Sequence, residues 1–341
     1  MTTSLRSLLM AGGARLPVPS SLTPTRPVVL TYHGVPRRPD LRGFSAAVFE
    51  QHIAFLKQNF ALVAPPTVEQ PQVRVGTPPE VLLTFDDGFR NHAECVVPIL
   101  RRHRVPAIFF VPTRHATAGR YLWFVYMRML ERHFPGDDFT FRGQLVDMSL
   151  GRRRASMARL GSQLLGLTPH PTAMYAAIDE LPTLEDFLDR STLEDEAAGM
   201  TEEQVEEVAA DPLFVVGAHS EDHPFLPRCP PDEQRRQILA NKQWIERTTR
   251  RVCDTIAYPA SEYDESVVQV CREAGFVSGY GGEHSRGVGR SLEISRIGVY
   301  YPSIRELGVK VWWSQAISYW HGGRPWSGGD SMASAVEGGH A

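Results

Sequence analysis

Short runs of β-branched and aromatic residues alternate along the chain with amphipathic stretches. Residues 28–33 form the first run, and Gly34 and Pro36 stop it. Between 45 and 59 the apolar positions Val48, Phe49, Ile53, Phe55 and Leu56 recur at helical spacing behind Ser45, a good N-cap. Continuous apolar runs at 81–85 and 107–111 flank a helical stretch at 93–103. An unbroken apolar run fits a strand covered on both faces, and strand–helix alternation predicts parallel pairing through βα units.

That rhythm breaks between 114 and 211, where the periodicity predicts helices at 121–130, 152–165, 184–193 and 201–210. Thr201 and Gln204 carry the capping-box spacing at the start of the last one. Strand signals resume at 213–219, followed by a helix at 232–248, a strand at 255–258, a helix at 266–274 and strands at 275–280 and 294–299. An aromatic helix at 304–320 follows. The expected organisation is a leader over 1–26, one catalytic unit over 27–320 with a helical insertion at about 114–211, and a disordered tail over 321–341.

Composition narrows the class without choosing a function. The 341 residues include 36 basic and 39 acidic side chains, for a formal charge of −3, with 42% hydrophobic and 22% charged residues. This is the profile of an ordinary globular protein, and it gives nucleic acid no electrostatic footprint. No window approaches the ~20 apolar residues of a membrane span. Cys95, Cys229, Cys253 and Cys271 are too far apart for a CxxC site, and the low cysteine usage fits a reducing compartment. A cytoplasmic protein is the expectation.

Two clusters carry chemistry. Thr84, Phe85, Asp86, Asp87 and Gly88 end one apolar run, and adjacent carboxylates there repel unless a cation lies beside them. Asp-Gly is also ordinary turn chemistry. His219, Ser220, Glu221, Asp222 and His223 follow another apolar run, and two histidines four apart suit a divalent metal. His33 follows a third. In parallel α/β folds such strand ends gather the active site. One Asp and two His leave coordination positions open, and the second carboxylate remains to act as base.

Together these residues resemble the polysaccharide deacetylases, carbohydrate esterase family 4, with its NodB-homology domain. The Thr84–Gly88 and His219–His223 motifs carry the resemblance, supported by Ala257, Tyr258 and Pro259, by Ala274, Gly275 and Phe276, and by Thr31, Tyr32, His33 and Gly34. It implies a distorted (β/α) barrel and metal-dependent removal of acetyl groups from an N-acetylated sugar, polysaccharide or glycoconjugate. Carried over, Asp87, His219 and His223 hold the metal, Asp86 is the general base and His33 the general acid. Zinc suits that ligand set, with cobalt, nickel, manganese and iron open. The third motif places substrate contacts at Tyr258, Pro259 and Ala260, whose backbone N–H would meet the oxyanion.

The sequence also departs from the family pattern. The third-motif arginine is missing, and Arg296 is the candidate replacement, with a plain surface arginine as the competing reading. The fourth and fifth motifs are not recognisable. Trp123, Tyr258, Trp312 and Trp313 are candidates for a sugar platform, against core packing. Two other functional readings stand beside deacetylation. One is a deformylase or amidase acting on a small metabolite or lipid-linked sugar. The other is a catalytically silent carbohydrate-binding relative. The sequence leaves the oligomeric state open.

Overall fold

The computed structural model describes residues 27–65, 80–117, 120–282 and 291–320, with side chains of the last helix described to 312. The expected leader and tail lie outside them. Strand β1 (Val28–Tyr32) leads to helix α1 (Ala46–Asn59), whose Val48 N–H donates to the Ser45 cap at 3.4 Å. The short β2 (Ala61–Leu62), β3 (Glu80–Phe85), α2 (Val97–His103) and β4 (Ala107–Val111) follow. After the inserted region come α7 (Glu202–Ala210), β7 (Phe214–Ala218), α8 (Pro231–Thr249), β8 (Thr255–Ala257), α9 (Glu265–Glu273), β9 (Ser278–Tyr280), β10 (Ile297–Gly298) and α10 (Ile304–Trp320).

The main sheet is parallel throughout, in the order β10-β1-β3-β4-β7-β8-β9, with β2 alongside the start of β3. It curls. Ile294 bridges to Tyr280 of β9, while three residues later Ile297 pairs with Leu30 of β1. One short stretch therefore touches both edge strands and draws the curl toward closure. Helices pack outside it. The parallel pairing is what the strand–helix rhythm predicts, and the curl is the distorted barrel that the family resemblance implies.

Strand alternation sorts the residues into two shells. Leu30, Tyr32, Leu83, Phe85, Phe109, Val216 and Ile256 face the helices and build the larger core. Val29, Leu82, Ile108, Phe110, Ala257 and Tyr280 face inward and fill the curl. Register then aligns the strand ends: Tyr32 pairs with Phe85, and Val111 with Ala218. His33, Asp86 and His219 continue inward parity at one rim. Gly217 takes an inward slot because a Cβ there would meet the Phe110 ring at 2.7 Å.

The inserted region differs from its helical expectation. Between α3 (Trp123–His133) and α4 (Arg153–Leu165) runs an antiparallel hairpin, β5 (Asp138–Phe141) and β6 (Gln144–Asp147). Its two-residue turn, Arg142 and Gly143, has positive φ at both positions, 49° and 75°. Such turns are signalled by Asn-Gly or Asp-Gly, and Arg-Gly hides the signal. Helices α5 (Pro171–Ile178) and α6 (Arg190–Glu196) complete the region. It has a core of its own, including Val125, Met129, Leu160 and Met174, joined by Phe89 from the loop after β3.

Helix α7 has the expected capping box between Thr201 and Gln204, but it belongs to the barrel: Val205, Val208 and Ala209 pack in the main core. All four cysteines are free and buried. Among the described residues no helix is long and apolar enough to cross a membrane.

Gly217→Ala should destabilise the fold by about 1–3 kcal/mol, because the added methyl forces the Phe110 ring to shift in a filled interior. Urea denaturation checks this, and an unchanged midpoint would mean the curl has spare room.

Candidate active site

The rim of the curl brings together residues from six separate stretches of sequence. Asp86 extends β3 inward and is buried, and Arg296 meets it from the closing stretch with two parallel bonds, Nη1 to Oδ1 at 2.6 Å and Nη2 to Oδ2 at 2.7 Å. Arg296 is itself buried. Its Nε donates to the Gly281 carbonyl at 3.1 Å, and its Nη1 lies 3.3 Å and 3.4 Å from the hydroxyls of Thr31 and Thr84. Burial opposes ionisation of Asp86, but the Arg296 charge outweighs it and holds the carboxyl below its usual value.

Asp87 has a different environment. Its side chain is buried, and neither carboxylate oxygen has a hydrogen-bond donor. The Nε2 atoms of His219 and His223 instead stand 3.4 Å and 3.3 Å from Oδ1, and the three candidate ligand atoms lie within 4.8 Å of one another. His219 Nδ1–H donates to the Ala257 carbonyl at 2.8 Å, which leaves its Nε2 lone pair aimed at Asp87. Burial also opposes charge on Asp87; when the two imidazoles carry protons on their Nε2 atoms they overcome it and hold the carboxyl well below its ordinary range.

A bare buried carboxylate facing two imidazole nitrogens, one with its tautomer fixed from behind, suits a divalent cation. Among the described residues this is the one cluster of three such ligands.

The backbone bends to make this possible. Of the eight non-glycine residues with positive φ among those described, Asp87, Ser220, His223, Ala260 and Ser261 lie in the rim loops. Left-handed backbone is costly for such residues and concentrates where function requires it. Asp87 would otherwise follow outward parity; at φ 71° its side chain turns back toward the two histidines. Asn241 of α8 was invisible to motif reading. It is buried, its Oδ1 accepts the His219 N–H at 2.8 Å, and its Nδ2 donates to the Val111 carbonyl at 2.9 Å. A polar residue on a buried helix face was its only sequence signal.

His33 sits at the end of β1 with its Nδ1 buried and without a hydrogen bond, and its ring lies 5.5 Å from that of Tyr300. The third-motif residues follow β8. Tyr258 is fully buried, donates its hydroxyl to the Leu292 carbonyl at 2.7 Å and stacks on Tyr263. Pro259 is buried too, and Ala260 alone of the three is exposed. Tyr258 faces outward and belongs to the helix-side core.

Trp312 packs on Phe60, and Trp123 packs on Phe124 and Phe225. Phe124 in turn lies against the His223 ring at 5.0 Å. The Trp313 side chain lies outside the described residues.

The curled parallel sheet is the fold of the NodB-type deacetylases, and an Asp-His-His cluster lies at its rim. The polysaccharide deacetylase family model matches residues 74–135 and 187–279, and over those two segments the chain is similar to that family. The match omits 136–186, the interior of the inserted region. No curated protein matches the chain.

Among solved structures it is similar to the Streptococcus pyogenes deacetylase PplD in complex with acetate, at 17% identity over 85% of this chain and 99% of that one, with a TM-score of 0.53. It is also similar to IcaB from Ammonifex degensii, at 19% identity over 84% of this chain and 96% of that one, with a TM-score of 0.51. These likenesses establish the fold.

Arg296→Met should cost about 3–5 kcal/mol of stability, because it strands the buried Asp86 carboxylate without its partner. Chemical denaturation of the metal-free protein checks this. A loss no larger than that of an average surface substitution would show that Asp86 finds another partner.

Proposed function

We propose that this chain is a metal-dependent hydrolase that removes N-acetyl groups from a sugar or glycoconjugate, with residues 27–320 acting as one catalytic unit. The supporting observation is the division between neighbouring carboxylates. Asp86 is satisfied by Arg296, whereas Asp87 has no donor and faces His219 and His223. A divalent cation, with zinc the first choice for this donor set, would be held by Asp87, His219 and His223. It would polarise the amide carbonyl and acidify water.

The chain's own residues then divide the proton work. Asp86 takes the proton from the attacking water, and Arg296 fixes the plane of its carboxylate. That same pairing keeps the Asp86 carboxylate ionised, the form in which it can accept a proton. His33, as imidazolium, gives a proton to the departing amine. The Ala260 N–H donates to the developing oxyanion. Phe124 covers one side of His223 and limits water there. The near-neutral net charge is compatible with a largely uncharged glycan, and we place the enzyme in the cytoplasm.

Acetate release from a panel of N-acetylhexosamines and their conjugates, measured with metal content, tests this reading. Asp86→Asn should keep the metal and lose turnover by about 10²- to 10⁴-fold, whereas His219→Ala should lose the metal. Metal-loaded protein that releases no acetate from the whole panel would overturn the assignment.

A further inference from the structure

His115, in the turn after β4, belongs to no motif, yet it is buried directly behind the candidate metal ligands. Its Nδ1 lies 2.7 Å from the carbonyl oxygen of Asp87, and its Nε2 lies 2.7 Å from that of Ala197. The first carbonyl belongs to a proposed metal ligand. The second belongs to the segment by which the inserted region returns to the barrel.

That returning segment is bound along the loop carrying Asp87. The Arg90 N–H donates to the Ala198 carbonyl at 2.8 Å, and the Met200 N–H donates to the Gly88 carbonyl at 2.9 Å. Phe89 and Gly199 form an antiparallel bridge between them. A Cβ at Gly199 would stand 1.9 Å from the His115 carbonyl oxygen, so the segment passes closer than any other residue would permit. The loop it braces holds two successive residues in left-handed conformation, Asp87 at φ 71° and Gly88 at φ 61°. Gly88 supplies that backbone freely, but Asp87 does not.

We infer that His115 is a positioning residue of the metal centre: wedged between the Asp87 and Ala197 carbonyls and donating its one ring N–H to one of them, it couples the inserted region to the backbone conformation that aims Asp87 at His219 and His223. This rests on the reading of those three residues as metal ligands. On this view the exit segment of the inserted region sets the geometry of one ligand. Phe89 reinforces the contact with an edge-to-face packing on the His115 ring at 5.1 Å.

Cobalt(II) titration of the chelator-stripped full chain separates positioning from ordinary packing, since both the affinity and the d–d absorption bands report ligand geometry. His115→Phe keeps a ring in the space and removes both polar contacts. It should raise the cobalt dissociation constant about 10- to 100-fold and shift the bands. His115→Gln, which restores an N–H donor, should lie between that variant and the wild type.

If the wild type binds cobalt and His115→Phe binds it with the same constant and spectrum, the positioning role is wrong while the metal centre stands. If the wild type takes up no cobalt, the ligand assignment fails and this inference with it. Should His115→Phe not fold, a His115→Gln affinity equal to the wild type's overturns the proposal. A loss of metal-free stability without any change in affinity or spectrum would assign His115 to packing alone.

Discussion

Two buried charges hold the molecule's interior together, and neither is tolerable without the other. Arg296 arrives from the stretch that touches both edges of the curled sheet, and Asp86 extends a strand at its centre. Removing either leaves a charge in a medium that cannot solvate it, a penalty that usually exceeds the net worth of the pair. The pair therefore specifies geometry more than it adds stability. It fixes where the closing stretch lies, and with it the packing of Thr31, Thr84 and Phe110 beneath the guanidinium.

From that constraint the functional division follows. Adjacent acids at a strand end would ordinarily compete for the same counter-charge. Here strand parity sends one inward to Arg296, and a left-handed backbone turns the other toward two imidazoles. The cost of the turn is spread over neighbours: Asn241 holds the strand end at His219, and the carbonyl of Ala257 fixes that ring from behind. A site assembled from strand ends inherits the sheet's register, which is why residues far apart in sequence meet without a dedicated loop to carry them.

Much of this was legible before any coordinates, for reasons that can be stated. The strands were readable because both faces are buried and the runs are continuously apolar. That continuity also concealed parity, so Tyr258 looked as accessible as His219 when it faces the helices. The motif clusters were readable because chemistry restricts residue type at strand ends. Arg296 could be nominated but not placed, since its partner lies 210 residues away. His115 and Asn241 carried no usable signal, as their roles consist of contacts to backbone atoms of distant segments. The hairpin at 138–147 was missed because four-residue strands and an Arg-Gly turn fall below what periodicity can separate from helix.

The position of β10 beside β1 has a consequence for synthesis. Chains emerge from the ribosome N-terminus first, so β1, β3 and β4 are available long before the stretch that completes the curl. Throughout that interval Asp86 has no guanidinium to meet, and an unpaired acid favours water over an apolar interior. Among the described strands the last to be made is the one that brings Arg296 to Asp86, so burial of that acid and closure of the curl depend on each other.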